Sequence, residues 1–206
     1  MKILGKPTSI NVRKVLWTCV ELGLEPELEP WGSGYRDTNT PEFLSLNPNA
    51  MVPVLKDGEL VLWESNTICR YLAGREQRQD LLPAEPAARA RVEQWMDWQA
   101  TELNNAWRYA FMSLVRQSPA HQDPAALQAG ISGWHRHMGL LDAQLAKTGA
   151  FAAGDQFSLA DVVLGLSAQR WLMAPMEHPE LPAVASWLQR LNERPGFQLH
   201  GANGMP

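Results

Sequence analysis

Two short polar segments of the sequence stand just ahead of stretches with helical periodicity. Thr8, Ser9 and Asn11 introduce the first of these stretches, and Glu64 and Ser65 introduce a later one. The first N–H groups of a helix have no partner within it, and the helix dipole makes this end electropositive. A hydroxyl placed there can help to hold an anion, although an ordinary N-cap serine has the same appearance. What chemistry these residues perform depends on the elements that bring the two segments together.

Metal binding and nucleic-acid binding find no support in the sequence. Cys19 and Cys69 lie far apart in separate helix-like segments, which gives neither a disulfide framework nor a metal site. His135 and His137 are two residues apart, so on a helix they point to different faces, and we expect both to be solvated. The formal net charge is -4, whereas binding to phosphates needs a concentrated positive face. We therefore expect no metal and no nucleic-acid partner.

The composition is that of a soluble globular protein. Hydrophobic residues make up 45% of the sequence and charged residues 19%, which is ordinary for such a protein. A length of 206 residues allows one large domain or two small ones. No apolar run approaches the roughly 20 residues of a membrane-spanning helix. The N-terminal stretch is broken at Gly5 and Pro7, which does not fit a secretory signal. We expect a cytoplasmic protein that does not bind membranes.

The first third of the chain alternates strand and helix signals. Apolar residues recur at helical spacing over residues 11–22, and Gly23 stands where a helix C-cap belongs. Two apolar runs flank Asp57-Gly58, a pair that favours a β-hairpin turn because glycine accepts a positive φ. The predicted order is β-α-β-α-β-β-α, with elements in residues 1–4, 11–22, 24–31, 40–43, 52–55, 60–62 and 64–74.

The rest of the chain carries only helical patterns. Residues 77–87 are polar and contain Pro83 and Pro86, which is typical of a linker. We expect an α/β domain over residues 1–78, a linker over 79–87 and an all-α domain over 88–206. The predicted helices of the second domain cover residues 89–114, 125–145, 159–172 and 181–191.

Three motifs, in this order and spacing, resemble those of the soluble glutathione transferase superfamily. They are Leu46-Asn47-Pro48 leading into Val52-Pro53-Val54-Leu55, then Leu62-Trp63-Glu64-Ser65, and finally Phe157-Ser158-Leu159-Ala160-Asp161. The segment at residues 9–15 is similar to the serine-type classes, namely theta, phi and related bacterial forms. The resemblance covers essentially the whole chain. It implies a thioredoxin-like N-terminal domain, a helical bundle as the second domain, and a homodimer.

The last of these motifs has a structural interpretation. Ser158 and Asp161 form a capping box with aspartate in place of glutamate, and Phe157 is placed to staple the helix that follows. We assign this motif to folding and give it no catalytic role.

The resemblance implies that glutathione is the co-substrate and binds to the first domain. It implies a cis bond between Val52 and Pro53, in a segment that also includes Met51 and lies against the ligand. The N–H and C=O of Val52 are then free to pair with the cysteinyl backbone of the tripeptide, as an added strand would. The γ-glutamyl carboxylate is expected at Ser65 and the helix start, with Glu64 contacting the amino group or main chain.

A fainter resemblance concerns the second domain. Residues 100–103 are similar to the bacterial beta class, which implies that Asp97 reaches the glutathione of a neighbouring subunit by pairing with its ammonium group. Asn104 and Asn105 stand where that class has a His-Lys pair, which is a departure from its pattern.

Glutathione transfer requires a thiolate at neutral pH, because the thiol is a poor nucleophile. Lowering a thiol pKa from about 8.5 to about 6.5 needs roughly 2.7 kcal/mol of preferential stabilisation. A hydrogen bond to a charged acceptor contributes about 1.5–3 kcal/mol, so one hydroxyl is enough and no general base is needed. Ser9, four residues before Arg13 as in the serine-type pattern, is our candidate for it. Thr8 is the adjacent alternative, and Asn11 could donate its amide N–H to the sulfur.

The function implied by the resemblance is transfer of glutathione to small apolar electrophiles in detoxification. Trp107 and Phe111 are candidates for the electrophile pocket because aromatic rings offer flat apolar surfaces, although core packing would also explain both. Two other functions stay open: a glutathione-dependent disulfide reductase or peroxidase, and a non-catalytic binding protein that keeps the transferase fold. The sequence does not identify the electrophile.

Overall fold

The computed structural model describes all 206 residues, from Met1 to Pro206. A four-stranded sheet with three helices forms the N-terminal part, and every later element is helical. The predicted fold class, a thioredoxin-like domain followed by an all-α domain, is confirmed. The strands are β1 (Lys2–Leu4), β2 (Glu27–Glu29), β3 (Val54–Asp57) and β4 (Leu60–Trp63). The helices are α1 (Ile10–Leu22), α2 (Pro41–Leu44), α3 (Ser65–Arg75), α4 (Pro86–Trp98), α5 (Asn104–Leu114), α6 (Pro124–Thr148), α7 (Leu159–Met173), α8 (Pro182–Leu191) and α9 (Pro195–His200).

The sheet is mixed and has the strand order β2-β1-β3-β4. β1 is parallel to β2 and antiparallel to β3, and β3 pairs with β4 as a hairpin. The hairpin turns at Gly58, which has φ +59°, so the predicted Asp-Gly turn is confirmed. β2 is shorter than the predicted strand, because Pro26 and Pro30 on either side of it cannot donate to the sheet.

Helix α1 is shared by both halves of the molecule. It ends at Gly23 in the left-handed conformation, as predicted from the sequence. One side of α1 packs on α3, while α7 and α9 of the helical domain cover other parts of it. Trp17 of α1 is fully buried, with its ring centroid 5.2 Å from that of Phe197 in α9. The hydrophobic core is therefore continuous from the sheet into the helical domain.

The predicted helix over residues 89–114 contains an interruption. A π-helical turn, Gln99–Leu103, lies between α4 and α5. The side chain of Gln99 is 1% exposed, and its amide donates to Ser167 Oγ at 3.0 Å. Its Oε1 accepts a hydrogen bond from Lys14 Nζ at 2.7 Å. This turn therefore gives the helical domain a polar contact with α1.

The capping box predicted at the start of α7 is confirmed. Asp161 Oδ2 accepts a hydrogen bond from the Ser158 N–H at 3.0 Å. Burial raises the pKa of this carboxyl to about 6.

The expectation that His135 and His137 are solvated is wrong. His137 is 8% exposed with Nδ1 2.7 Å from Gly133 O, and His135 lies against the buried ring of a tryptophan of α7, because α6 packs against several neighbours. No helix is both long and apolar enough to cross a lipid bilayer.

Candidate functional site

A small polar cavity of about 100 Å³ lies where the loop before β3 meets the starts of α1 and α3. Six residues predicted from the sequence line it: Asn11, Met51, Val52, Pro53, Glu64 and Ser65. Two lining residues were not predicted as site residues, Asn47 and Asn49. The fold thus brings together segments that are more than 50 positions apart in the chain.

Asn47 holds the shape of the loop that forms one wall of the cavity. Its side chain is 2% exposed, and Nδ2 donates to the carbonyl of Met51 at 2.8 Å. Its Oδ1 accepts from the backbone N–H of Asn49 at 3.0 Å. The Leu46-Asn47-Pro48 motif was the only sequence signal for this role.

Val52 presents free backbone groups beside the cavity. The bond between Val52 and Pro53 is cis, as the resemblance implies. Neither the N–H nor the C=O of Val52 makes a backbone hydrogen bond, although β3 begins only two residues later. A donor and an acceptor on one residue next to a strand are what an extended peptide needs to pair with a protein.

Glu64 and Ser65 line the cavity at the start of α3. Glu64 has φ +70° and ψ 109°, a conformation that costs a non-glycine residue about 1–3 kcal/mol. Ser65, 6% exposed, is the first residue of α3, so its hydroxyl lies among the unpaired N–H groups of the first turn. Strain of this kind persists only where the surrounding structure enforces it. This part of the cavity offers an anion both hydrogen-bond donors and a favourable dipole.

Ser9 and Thr8 lie at the start of α1 but outside the lining of this cavity. Ser9 is the N-cap residue, and its carbonyl accepts from the Arg13 N–H at 2.9 Å, whereas its hydroxyl makes no capping hydrogen bond. It is half-buried, while Thr8 in the preceding turn is exposed. The Ser9 hydroxyl is therefore available for another acceptor.

Asp97 does not line the cavity. It lies on α4 with 66% of its side chain exposed and is paired with Arg70 of α3. Arg70 also contacts Glu93 of α4 at 3.5 Å, so the pair ties the two helices together. In the single chain the Asp97 carboxylate is thus engaged and faces solvent.

Trp107 and Phe111 stand one turn apart on α5 and meet edge to face, with ring centroids 5.3 Å apart. Phe111 is only 4% exposed. The guanidinium of Arg170 from α7 lies over both rings, with its carbon 4.8 Å from the Trp107 centroid and 4.2 Å from that of Phe111. The sequence did not predict a charge against this aromatic surface.

Comparison with known proteins assigns the family. Residues 1–74 match the model of the glutathione S-transferase N-terminal domain, and residues 124–190 match that of the C-terminal domain. Glutathione S-transferase GstB of Escherichia coli K12 is 39% identical over 196 residues, which cover 94% of each chain. Glutathione S-transferase 3 of Zea mays is 32% identical over 205 residues, covering 96% of this chain and 91% of the maize protein.

A solved structure supports the same assignment. The theta class glutathione S-transferase from the citrus canker pathogen Xanthomonas axonopodis pv. citri, crystallised with glutathione bound, superposes with a TM-score of 0.92. The two sequences are 36% identical, and the alignment covers 100% of this chain and 98% of the other. With both domain models matched and relatives aligned along nearly the whole length, the chain belongs to the glutathione S-transferase family and is a glutathione transferase.

Proposed function

We propose that this transferase conjugates the thiolate of glutathione to small apolar electrophiles, as a cytoplasmic homodimer that serves detoxification. The observation that carries the proposal is the pair of free backbone groups on Val52, beside a helix start that suits a carboxylate. The bound glutathione in the similar Xanthomonas structure supports the same ligand here.

The ligand would extend across the cavity. Its cysteinyl backbone pairs with Val52, between Met51 and Pro53, and its γ-glutamyl carboxylate lies against Ser65 at the start of α3. Glu64 contacts the γ-glutamyl amino group or main chain. Asp97 is proposed to pair with the γ-glutamyl ammonium group of the glutathione bound to a partner subunit. Its carboxylate would then contact both Arg70 and that ammonium group.

The sulfur would then lie near the start of α1. The Ser9 hydroxyl donates a hydrogen bond to the thiolate. This bond contributes about 1.5–3 kcal/mol, and lowering the thiol pKa to about 6.5 needs roughly 2.7 kcal/mol. Thr8 is the alternative donor, and Asn11 is near enough to the cavity to donate an amide N–H. The thiolate attacks the electrophilic carbon, a C–S bond forms, and the leaving group departs with the electrons of the broken bond.

The helical domain would supply the second substrate site. Trp107 and Phe111 offer aromatic surface for it on α5. We also propose the predicted division of the chain, with residues 1–78 and 88–206 as the two domains. A substrate lying between them would place its reactive carbon beside the start of α1.

The test is Ser9→Ala, with the rate of conjugation of 1-chloro-2,4-dinitrobenzene measured as a function of pH. We expect kcat/KM near neutral pH to fall roughly 10- to 100-fold, with the pH dependence moving towards the free thiol value, because the thiolate loses its donor. Ser132→Ala, at an exposed serine of α6, is the matched control. An unchanged rate in Ser9→Ala, with glutathione affinity also unchanged by calorimetry, would refute the role of Ser9. Turnover of a glutathione mixed disulfide alone would favour the reductase alternative.

A further inference from the structure

A line of hydrogen bonds joins α1 to the aromatic surface of α5. Lys14 Nζ donates to Gln99 Oε1 at 2.7 Å, and Gln99 Nε2 donates to Asn104 Oδ1 at 2.9 Å. Asn104 Oδ1 also accepts a hydrogen bond from the indole N–H of Trp107 at 3.1 Å. Lys14 and Gln99 are each 1% exposed, so water does not compete for the first of these bonds. The indole of Trp107 is thus connected to a buried ammonium group through two amide side chains.

The π-helical turn makes this connection possible. Residues five apart lie about 140° apart around the axis of an α-helix, so their side chains do not meet. In the π-helical turn the backbone N–H of Asn104 donates to the carbonyl of Gln99, which is the i→i+5 bond of a π-helix. The same two residues are therefore joined both by their backbones and by their side chains. Such turns are frequent at functional sites.

Lys14 sets the direction of every bond in the line. An ammonium group has only donors, so the Gln99 amide must present its oxygen to Lys14. The amide NH2 group of Gln99 then faces Asn104, and it also donates to Ser167 Oγ at 3.0 Å. Asn104 must accept with its oxygen, which is the atom that the indole N–H of Trp107 needs. A charge on α1 therefore determines which atom of Asn104 faces the indole.

Burial alone does not require this arrangement. Trp107 is half-buried, and an indole at such a position can bond to water instead. The neighbouring ring of Trp134, with its centroid 5.9 Å away, is fully buried, yet its Nε1 makes no hydrogen bond. Packing is therefore enough to hold Trp134, whereas Trp107 has an acceptor directed at one edge of its ring. This bond fixes the rotation of the Trp107 ring against Phe111.

We propose that Lys14, Gln99 and Asn104 are positioning residues for the second substrate. They hold the ring of Trp107 in the orientation that binds an apolar group on the sulfur of glutathione, without touching that group themselves. The inference rests on the proposed place of Trp107 in the electrophile pocket. It deepens that proposal, because it assigns part of the affinity for apolar groups to one acceptor oxygen on Asn104.

The competing explanation is that the line of bonds only fastens the π-helical turn to α1 and α7. Gln99→Glu separates the two explanations. It keeps the shape of the side chain and gives Lys14 a carboxylate partner, which stays ionised beside the ammonium group. A carboxylate only accepts, so Asn104 has to turn its NH2 group towards it, and the indole N–H loses its acceptor. The fastening explanation predicts unchanged ligand affinity in this variant, because the turn stays attached to α1.

The first experiment compares glutathione with S-hexylglutathione by calorimetry, which gives the affinity gained from an apolar group on the sulfur. We expect this gain to fall about fivefold in Gln99→Glu and in Asn104→Leu, with the affinity for glutathione unchanged. Asn104→Asp should keep the gain, because its carboxylate offers an oxygen to both donors. Asn105→Leu and Gln128→Glu, at exposed positions of α5 and α6, are the matched controls.

Two further measurements show whether the effect passes through Trp107. The indole N–H signal of Trp107 in a nitrogen–proton NMR spectrum is identified by its absence from Trp107→Leu. We expect this signal to shift in Gln99→Glu and in Lys14→Met but not in Asn105→Leu. In the Trp107→Leu background, Gln99→Glu should cause no further loss of the gain, because both substitutions remove the same contribution.

The outcomes separate the positioning role from the proposed transfer reaction. A full gain in both Gln99→Glu and Asn104→Leu overturns the positioning role, and so does an indole signal of Trp107 that stays in place in Gln99→Glu. Equal affinity of the wild-type protein for the two ligands also overturns it, and this comparison needs no variant to fold. If the gain depends on Asn104 but the wild-type protein does not conjugate 1-chloro-2,4-dinitrobenzene, the positioning role is supported and the proposed transfer reaction is contradicted.

Discussion

Replacement of Lys14 by methionine should change how the stability of the protein depends on pH. The ammonium group is 1% exposed and donates to Gln99 Oε1 at 2.7 Å and to Asn66 Oδ1 at 3.3 Å. Burial lowers its pKa from 10.5 to about 8, with Cys69 and Glu64 raising it slightly and the charge of Arg170 lowering it. Keeping Lys14 charged in the folded protein therefore costs free energy.

The sign of the effect follows from proton linkage. In the window between pH 8 and 10.5 the unfolded chain binds more protons at Lys14 than the folded chain does. The contribution of Lys14 to the free energy of unfolding must then rise with pH across that window. One pKa unit corresponds to about 1.36 kcal/mol, so the full effect is roughly 3 kcal/mol, and about 1.4 kcal/mol of it falls between pH 7 and pH 9.

Urea unfolding followed by tryptophan fluorescence at pH 7, 8 and 9 measures this difference. From pH 7 to pH 9 the unfolding free energy of the wild-type protein should rise by about 1.4 kcal/mol relative to that of Lys14→Met. At any single pH the variant combines relief from the buried charge with two unpaired amide oxygens, so only the pH dependence isolates the lysine. Burial raises the pKa values of the Cys19 and Cys69 thiols above their ordinary value of 9.0, so both thiols lower the unfolding free energy as the pH approaches 9 and beyond. Wild type and variant share this effect, and the range stops at pH 9 to keep it small.

Lys147→Met is the matched control, since this lysine is exposed near the end of α6. Its unfolding free energy should follow the wild-type curve at all three pH values. If wild type and Lys14→Met instead ran parallel from pH 7 to pH 9, the ammonium group would not be carrying the burial cost that the geometry assigns to it, and the reasoning would fail.

Three further sites have outcomes that local geometry determines. A Cβ at Gly196 would lie 2.2 Å from Trp17 Cδ1, so Gly196→Ala should lower the free energy of unfolding in urea by about 1–3 kcal/mol. Gly74 has open space around it, so Gly74→Ala should raise the free energy of unfolding by about 0.5–1 kcal/mol. Effects of equal sign would contradict this. Glu64→Gly should raise Tm by relieving a positive φ worth about 1–3 kcal/mol but weaken glutathione binding in calorimetry. Asn47→Ala should weaken glutathione binding by about 1–3 kcal/mol through loss of the loop contacts, and unchanged affinity would exclude that role.

Most element boundaries could be predicted because local signals determine them. The end of α1 follows from Gly23 and the β3–β4 turn from Gly58, since both require a positive φ. The π-helical turn could not be predicted in this way. Its insertion serves contacts of Gln99 with α1 and α7, which lie far from it in sequence. Helix α9 was also missed, because its six residues are too few to show a helical period.

The residues of the candidate site also differ in whether the sequence alone could predict their roles. Val52, Glu64 and Ser65 stand in short motifs whose meaning is local, and the structure gathers them around one cavity. Asn47 stands in such a motif too, but its work is to hold the backbone of a loop, which becomes visible only when the loop is folded. Residue type alone therefore identifies groups that could contact a ligand better than groups that hold the backbone in place.

The buried cations at the junction of the two domains could not be predicted from the sequence. A lysine or arginine on an amphipathic helix is normally solvated. The sequence therefore predicts that Arg13 and Lys14 lie on an exposed side of α1. Both become buried because α3, α7 and α9 cover different sides of the same helix. Arg170 arrives from a segment more than 150 positions away and meets them only through the packing of α7 on α1. Burial of these charges therefore depends on packing between segments that are far apart in the chain, which no local pattern of residues records.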